Sequence, residues 1–340
     1  MQSRRVTAVA VREALNRFLG DERHLVLGFE RGPGAVRHRV FKGSLDRFSL
    51  FNPVFDVSGA IYLRRIFSKG ATIVVVLRPC EIRACVELVK LNQMEREDII
   101  AVSVDCFGSV SSKENIEDLP TEPDKLKNYF KDHDAMRWAC RACREPRGVF
   151  GDAGIRVDES GSLNFVAYTP KGETLLELLN DEDRADVFSD PASPEMHVSP
   201  PGERFHTDMK TFSEDLAKCL MCKNCRDMCP VCYCVDCVFN GDEYLPKGDA
   251  FLNQIFRTGS VNMPQGKELF HLIRMYHVSQ TCVGCGACEE ACPQGISLTK
   301  YFKGVSERLQ AMFSYVAGER FEAEIPYLTF LEDELRHTED

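Results

Sequence analysis

Two cysteine runs constrain this chain more than any other feature. "CLMCKNCRDMCPVCYCVDC" spans 219–237 and holds seven of the 16 cysteines; "CVGCGACEEACP" follows at 282–293. Both contain the spacing CxxCxxCxxxCP, with Cys219, Cys222, Cys225 and Cys229 before Pro230 and Cys282, Cys285, Cys288 and Cys292 before Pro293. Three thiolates offered by one tight loop can wrap an iron–sulfur cube. The fourth is expected to open a helix leaving the loop, its start preset by the proline. Gly284 and Gly286 suit a loop that needs positive φ and close backbone approach.

The doubled run resembles two-cluster ferredoxins, in which the fourth cysteine of each run serves the other cluster. That resemblance implies one 4Fe–4S cluster held by Cys219, Cys222, Cys225 and Cys292, and a second held by Cys282, Cys285, Cys288 and Cys229. Zinc sites use paired CxxC arms rather than this triple step. Cys225, Cys229 and Cys232 also spell the CxxxCxxC of radical enzymes, but Val231 stands where an aromatic residue belongs and no repeated β/α pattern follows. The step of 53 positions from Cys229 to Cys282 exceeds what a compact ferredoxin needs, and "GKELFHLIRMYHVSQ" (266–280) reads as an inserted helix. His271 and His277 lie on it, and a lone helical histidine is more often packing or surface than ligand. Cys232, Cys234 and Cys237 remain open between ligands of a further cluster and apolar wrapping of the first, with packing favoured.

The chain has 340 residues, 44% apolar and 28% charged, enough for two domains without disulfide staples. A net charge of −10 argues against a nucleic-acid partner. The paired arginines at 4–5 are not expected to open an export signal, because Arg12 and Glu13 interrupt the apolar stretch after them. Val11, Leu15, Phe18 and Leu19 instead fall on one helical face. No stretch approaches the roughly 18 apolar residues of a membrane span. The expected location is cytoplasmic, where cysteines serve as metal ligands rather than in disulfides.

Cysteine also divides the chain, with none before Cys80, five from Cys80 to Cys143 and eleven from Cys219 to Cys292. The expected organisation is an α/β domain over 1–189, a Pro/Ser/Gly-rich linker over 190–205, a mainly helical two-cluster ferredoxin domain over 206–300, and a C-terminal helical extension with an acidic tail over 301–340. In the first domain "HLVLGF" (24–29), "TIVVVL" (72–77), "DIIAVSV" (98–104) and "LNFVAYT" (163–169) read as strands. Residues 58–70, 80–91 and 172–179 read as helices, giving βαβ units and a parallel or mixed sheet. Cys80 and Cys106 each follow a strand, so a parallel sheet delivers both to one edge, where ligand sites form. With the pair Cys140 and Cys143 they make four thiolates, enough for a third 4Fe–4S cluster. The alternative is two structural cysteines and a chance CxxC. Cys85, on the inner helix face, reads as core.

"CRDMCPVCYC" followed by "CVGCGACEEACPQ" resembles the dicluster end of the A subunit of anaerobic sulfite reductase and of sulfhydrogenase β subunits, which share a CPxCxC string between their cysteine runs. "RPCEIRA" (78–84), "DCFG" (105–108), "CRAC" (140–143) and "TPKGETLLELL" (169–179) resemble the coenzyme F-420 hydrogenase/dehydrogenase β-subunit family, which includes formate dehydrogenase β subunits. The resemblance implies an electron-transfer subunit of a cytoplasmic anaerobic oxidoreductase complex, with a catalytic hydrogenase, formate dehydrogenase or sulfite reductase subunit as partner. It also implies a flavin, FAD, in the α/β domain, although no flavin motif shows one independently. The alternative is a flavin-free conduit or docking subunit without a substrate site.

Overall fold

The computed structural model describes residues 2–32, 35–66, 70–114, 119–132, 134–179, 208–241, 248–260 and 266–330. The expected linker at 190–205 and the tail beyond 330 lie outside the described residues.

The strands are β1 (Gln2–Val6), β2 (His24–Gly32), β3 (Ala35–Phe41), β4 (Phe48–Ser49), β5 (Val54–Phe55), β6 (Thr72–Leu77), β7 (Ile99–Val104), β8 (Val110–Ser111), β9 (Ala153–Val157) and β10 (Leu163–Ala167). Eight of them form one mixed sheet, ordered β1-β10-β9-β7-β6-β2-β3 with β4 also on β2. Its centre, β2-β6-β7-β9, is parallel, in register Val26↔Val74, Val75↔Ala101 and Val102↔Ala153. Its margins are antiparallel. β5 and β8 pair separately, in parallel.

The helices are α1 (Ala8–Phe18), α2 (Gly59–Ile66), α3 (Pro79–Lys90), α4 (Pro123–Asp132), α5 (Trp138–Arg141), α6 (Pro170–Glu177), α7 (Met209–Leu216), α8 (Asn224–Asp227), α9 (Gly248–Thr258), α10 (Lys267–Val278), α11 (Ala287–Glu290) and α12 (Leu298–Met312). The mixed-sheet α/β half and the mainly helical C-terminal half are both as the sequence implies.

Strand alternation sorts the core into two layers. Val26, Val74, Val76, Val102 and Val104 point to one face, where Val11 and Leu15 of α1 and Leu175 and Leu176 of α6 cover them. Leu27, Ile73, Val75, Leu77 and Ala101 point to the other, against Leu63 of α2 and Ile82, Cys85, Val86 and Leu88 of α3. Each fully buried aliphatic side chain contributes about 2 kcal/mol. α3 starts where it does because Pro79 fits a first turn and Glu81 reaches back to the Arg78 N–H at 3.4 Å.

The second layer continues into the C-terminal half. Val283, Tyr315, Ala317 and Ile325 pack in the same cluster as α3. Polar contacts tie the halves together: Arg83 Nε donates to the Ala317 carbonyl at 2.7 Å, while Tyr315 Oη and the Gly318 N–H both donate to Glu87 at 2.6 Å. Whatever path the chain takes between 179 and 208, the ferredoxin-like runs lie directly against the α/β half rather than apart from it.

Candidate metal centres

The two runs fold alike. Met221 and Lys223 have φ of 50° and 64°, and Gly284 and Gly286, at the same positions of the second run, have 68° and 75°. Each loop then enters a one-turn helix, α8 or α11, that carries the third cysteine, Cys225 or Cys288. The short helix therefore precedes the fourth cysteine, contrary to the sequence expectation. Turns follow Pro230 and Pro293, and the next long helix after the second run, α12, begins only at Leu298. The reason is local: a positive φ one residue after the second cysteine turns the chain into the helix, so the third ligand sits on it and the fourth lies one turn beyond.

Cys219, Cys222, Cys225 and Cys292 line one pocket with Phe270 and His271. Burial raises Cys219, and Cys292 and Cys222 add to the shift. Burial pushes Cys225 up to about 11 against the opposing charge of Arg274, with Cys219, Cys222 and Cys292 contributing. Cys229 lies instead among the cysteines of the second run. Burial pushes Cys285 up to about 12, and Cys229 and Cys282 act on it. Cys288 is raised by burial and by the same neighbours. The first and second runs thus exchange their fourth cysteines in space.

A third set gathers at the sheet edge. Cys80, Cys106, Cys140 and Cys143 line a single pocket with Arg78 and with Cys285 of the second run. Burial pushes Cys106 up to about 12, and Cys140 reinforces it. Burial also raises Cys80, with Glu81 and Cys285 adding to the shift. Ser109 Oγ lies 3.2 Å from Cys140 Sγ. Arg137, just before α5, spans the gap to the second run: it donates to the Gly286 carbonyl at 2.9 Å and to that of Cys285 at 3.3 Å, and pairs with Glu290 at 3.3 Å. β8 adds Ser111 Oγ to Glu290 at 2.6 Å, and Lys113 Nζ reaches the Cys292 carbonyl at 2.9 Å. Cys85 is wholly buried in the α3 core.

Each set fits a cube by its donor chemistry. Cysteine binds metal as the thiolate, so each ligand gives up its proton on binding. None of the 16 cysteines forms a disulfide. Among the described residues no three or more His, Cys, Asp or Glu side chains are placed to hold a single metal ion. The thiolates of a cube surround four irons and stand further apart than the ligands of one ion. Cys232 and Cys237 pack against the same core as the first set, and Cys234 is exposed.

Two residues of the inserted helix lie against the first cysteine set: His271, expected from the sequence to be packing or surface, and Arg274, not singled out from the sequence. α10 places His271 Nε2 3.5 Å from Cys219 Sγ and Arg274 Nη1 3.0 Å from Cys225 Sγ. Burial, aided by Arg274, holds His271 at about 3, so its imidazole is neutral. Their i, i+3 spacing on one face was the available signal.

Residues 214–296 match the 4Fe-4S dicluster domain. The dicluster match spans both cysteine runs and the helix inserted between them. Beyond the dicluster region the similarity covers most of the chain. The F420-dependent formate dehydrogenase subunit beta of Methanocaldococcus jannaschii is 23% identical over 293 residues, 72% of this chain and 73% of that protein. The F420-dependent formate dehydrogenase 1 subunit beta of Methanococcus maripaludis is 27% identical over 308 residues, 76% of each. The solved F420-reducing NiFe hydrogenase complex from Methanosarcina barkeri aligns over 52% of this chain and 76% of the matched chain, at 13% identity and a TM-score of 0.34, too low to define a shared fold. The resemblance to F-420-linked formate dehydrogenase β subunits is therefore one of most of the sequence, not of the cysteine motifs alone. Among the described residues no helix is long and apolar enough to cross a membrane.

Proposed function

We propose that the chain is the iron–sulfur electron-transfer subunit of a cytoplasmic oxidoreductase complex related to formate dehydrogenases and hydrogenases, passing electrons through three 4Fe–4S clusters. The observation that carries this is the position of Cys285. It belongs to the second ferredoxin set and also lines the pocket of Cys80, Cys106, Cys140 and Cys143. The order is then the sheet-edge cluster, the cluster of Cys282, Cys285, Cys288 and Cys229, and the cluster of Cys219, Cys222, Cys225 and Cys292. Cys222 is exposed and brings the last of these nearest to solvent. That end faces the catalytic partner.

An FAD bound beside this relay would supply the exchange between two-electron and one-electron carriers, which cubes lack. A cleft of about 350 Å³ lined by Arg83, Arg144, Cys282, Lys303 and Glu307 lies between the halves. Its three cations suit a phosphate-bearing cofactor, although Glu307 pairs with Arg144 at 3.1 Å and with Lys303 at 3.0 Å. The volume is at the low end for a ligand pocket and accommodates part of FAD rather than all of it. Those lining residues would hold and orient the cofactor, and the buried contacts around Tyr315 would keep water from it.

The chain, tagged in its native host and purified without oxygen, should bring down a catalytic oxidoreductase subunit, and its clusters should become reduced when that complex turns over. A flavin absorbance band in the same sample separates the FAD-containing subunit from a flavin-free conduit. A chain that isolates alone, with clusters that no associated activity reduces, would contradict the proposal.

A further inference from the structure

Arg274 is among the largest fully buried side chains, 1% exposed. Its guanidinium donates from Nη1 to Cys225 Sγ and from Nη2 to the Cys225 carbonyl, both at 3.0 Å, and lies 4.5 Å from the Phe302 ring. Nε has no partner. Two other arginines near the cysteines have carboxylates, Arg78 with Glu81 at 2.9 Å and Arg137 with Glu290 at 3.3 Å, and buried Arg83 donates to the Ala317 carbonyl at 2.7 Å. Among the described residues no carboxylate pairs with Arg274. A buried, uncompensated guanidinium is costly, and a chain retains one where an anion meets it.

Four thiols are the strongest electrostatic influences on Arg274: Cys225, Cys229, Cys288 and Cys232. Cys225 belongs to one cluster set, and Cys229 and Cys288 to the other. The exchange of fourth cysteines brings this about. Cys225 lies on α8 and Cys229 just past its end, yet they face different sets, so a cation beside α8 faces both.

We propose that Arg274 is the shared counter-ion of the two ferredoxin-type clusters and raises the reduction potential of both. Reduction adds one negative charge to a cluster, and a fixed cation beside it favours the reduced form. Hydrogen bonds to ligand sulfur act in the same direction. Only Cys225 receives such a bond from Arg274, so the cluster of Cys219, Cys222, Cys225 and Cys292 is raised more. The same charge lessens the repulsion between the two clusters when both are reduced, and so allows the pair to hold two electrons at once. The inference rests on the two-cluster ligation proposed above.

The test is a redox titration followed by electron paramagnetic resonance, with iron content measured in parallel, on the full chain and on Arg274→Met and Arg274→Lys. The Met variant should load iron as the parent does and titrate at lower midpoint potentials for both clusters, with the larger drop at the first. The Lys variant should retain most of the parent's values. A loaded Met variant with unchanged midpoints overturns the assignment. Should the Met variant fail to load, the Lys variant decides. Loading at near-parent potentials supports a requirement for charge. Failure of Lys to load, or midpoints well below the parent's, makes the role one of shape and overturns the proposal. A parent chain with too little iron for two clusters removes the ligation reading, and Arg274's role with it, which the iron content alone distinguishes from the other outcomes.

Discussion

Cys229 lies four positions past Cys225 in the sequence, yet Cys282, Cys285 and Cys288 are its neighbours in space. Cys229→Ser should therefore damage the cluster of the second run and leave that of Cys219, Cys222, Cys225 and Cys292 intact. Spectra of the variant in which only the first-run cluster is disturbed would refute the exchange. A second expectation concerns His38, buried behind the sheet-edge pocket, 2.7 Å from Glu81 and 3.7 Å from Asp56. Burial works against its charge, but those two carboxylates outweigh both burial and the opposing Arg78, so its pKa is raised. Because the folded value is above the ordinary one of about 6.5, the stabilisation is complete below that pH and is lost as pH rises through the folded value. The apparent Tm of the loaded chain should fall as pH rises through the neutral to alkaline range. His38→Gln should flatten that slope and cost about 3 kcal/mol at pH 6. A parent Tm that rises over the same range would contradict this.

Among the elements, the contact of α5 with the loop before α11 joins the sheet-edge set to the second run. Gly286 allows the approach, since a Cβ there would meet Ala139 Cβ at 2.6 Å and Arg137 Nη2 at 2.7 Å. Lys223 shows that a side chain tolerates the same backbone conformation in the first run. Gly286→Ala should add that clash to the strain of a Cβ at positive φ, costing about 1–3 kcal/mol and loosening the sheet-edge cluster. An unchanged Tm with full iron would show that the contact does not matter. The legibility of the elements follows from burial. β6 and β7 were plain as apolar runs because both their faces are covered, as α3 was from its inward face. β3 and β9 were missed because charges interrupt them, and those charges find partners only in the fold: His38 with Glu81, and Arg156 with Asp105 at 3.1 Å. The cysteine sets were legible from spacing, whereas Arg274 was not. Its meaning depends on Cys225, 49 residues away.

Across the whole molecule, the α/β half and the dicluster region meet at one shared apolar layer, and the pocket that lies at this junction is lined by cysteines from both. This junction makes a continuous relay geometrically reasonable, because the sheet-edge set borders the second-run set through Cys285. The most direct test is the iron and acid-labile sulfide content of the full chain purified without oxygen, alongside Cys80→Ser and Cys106→Ser. Three clusters predict about 12 irons per chain, falling to about 8 in either variant while the two ferredoxin-type signals persist. About 8 irons in the parent, unchanged by either substitution, would contradict the three-cluster relay and return Cys80, Cys106, Cys140 and Cys143 to packing.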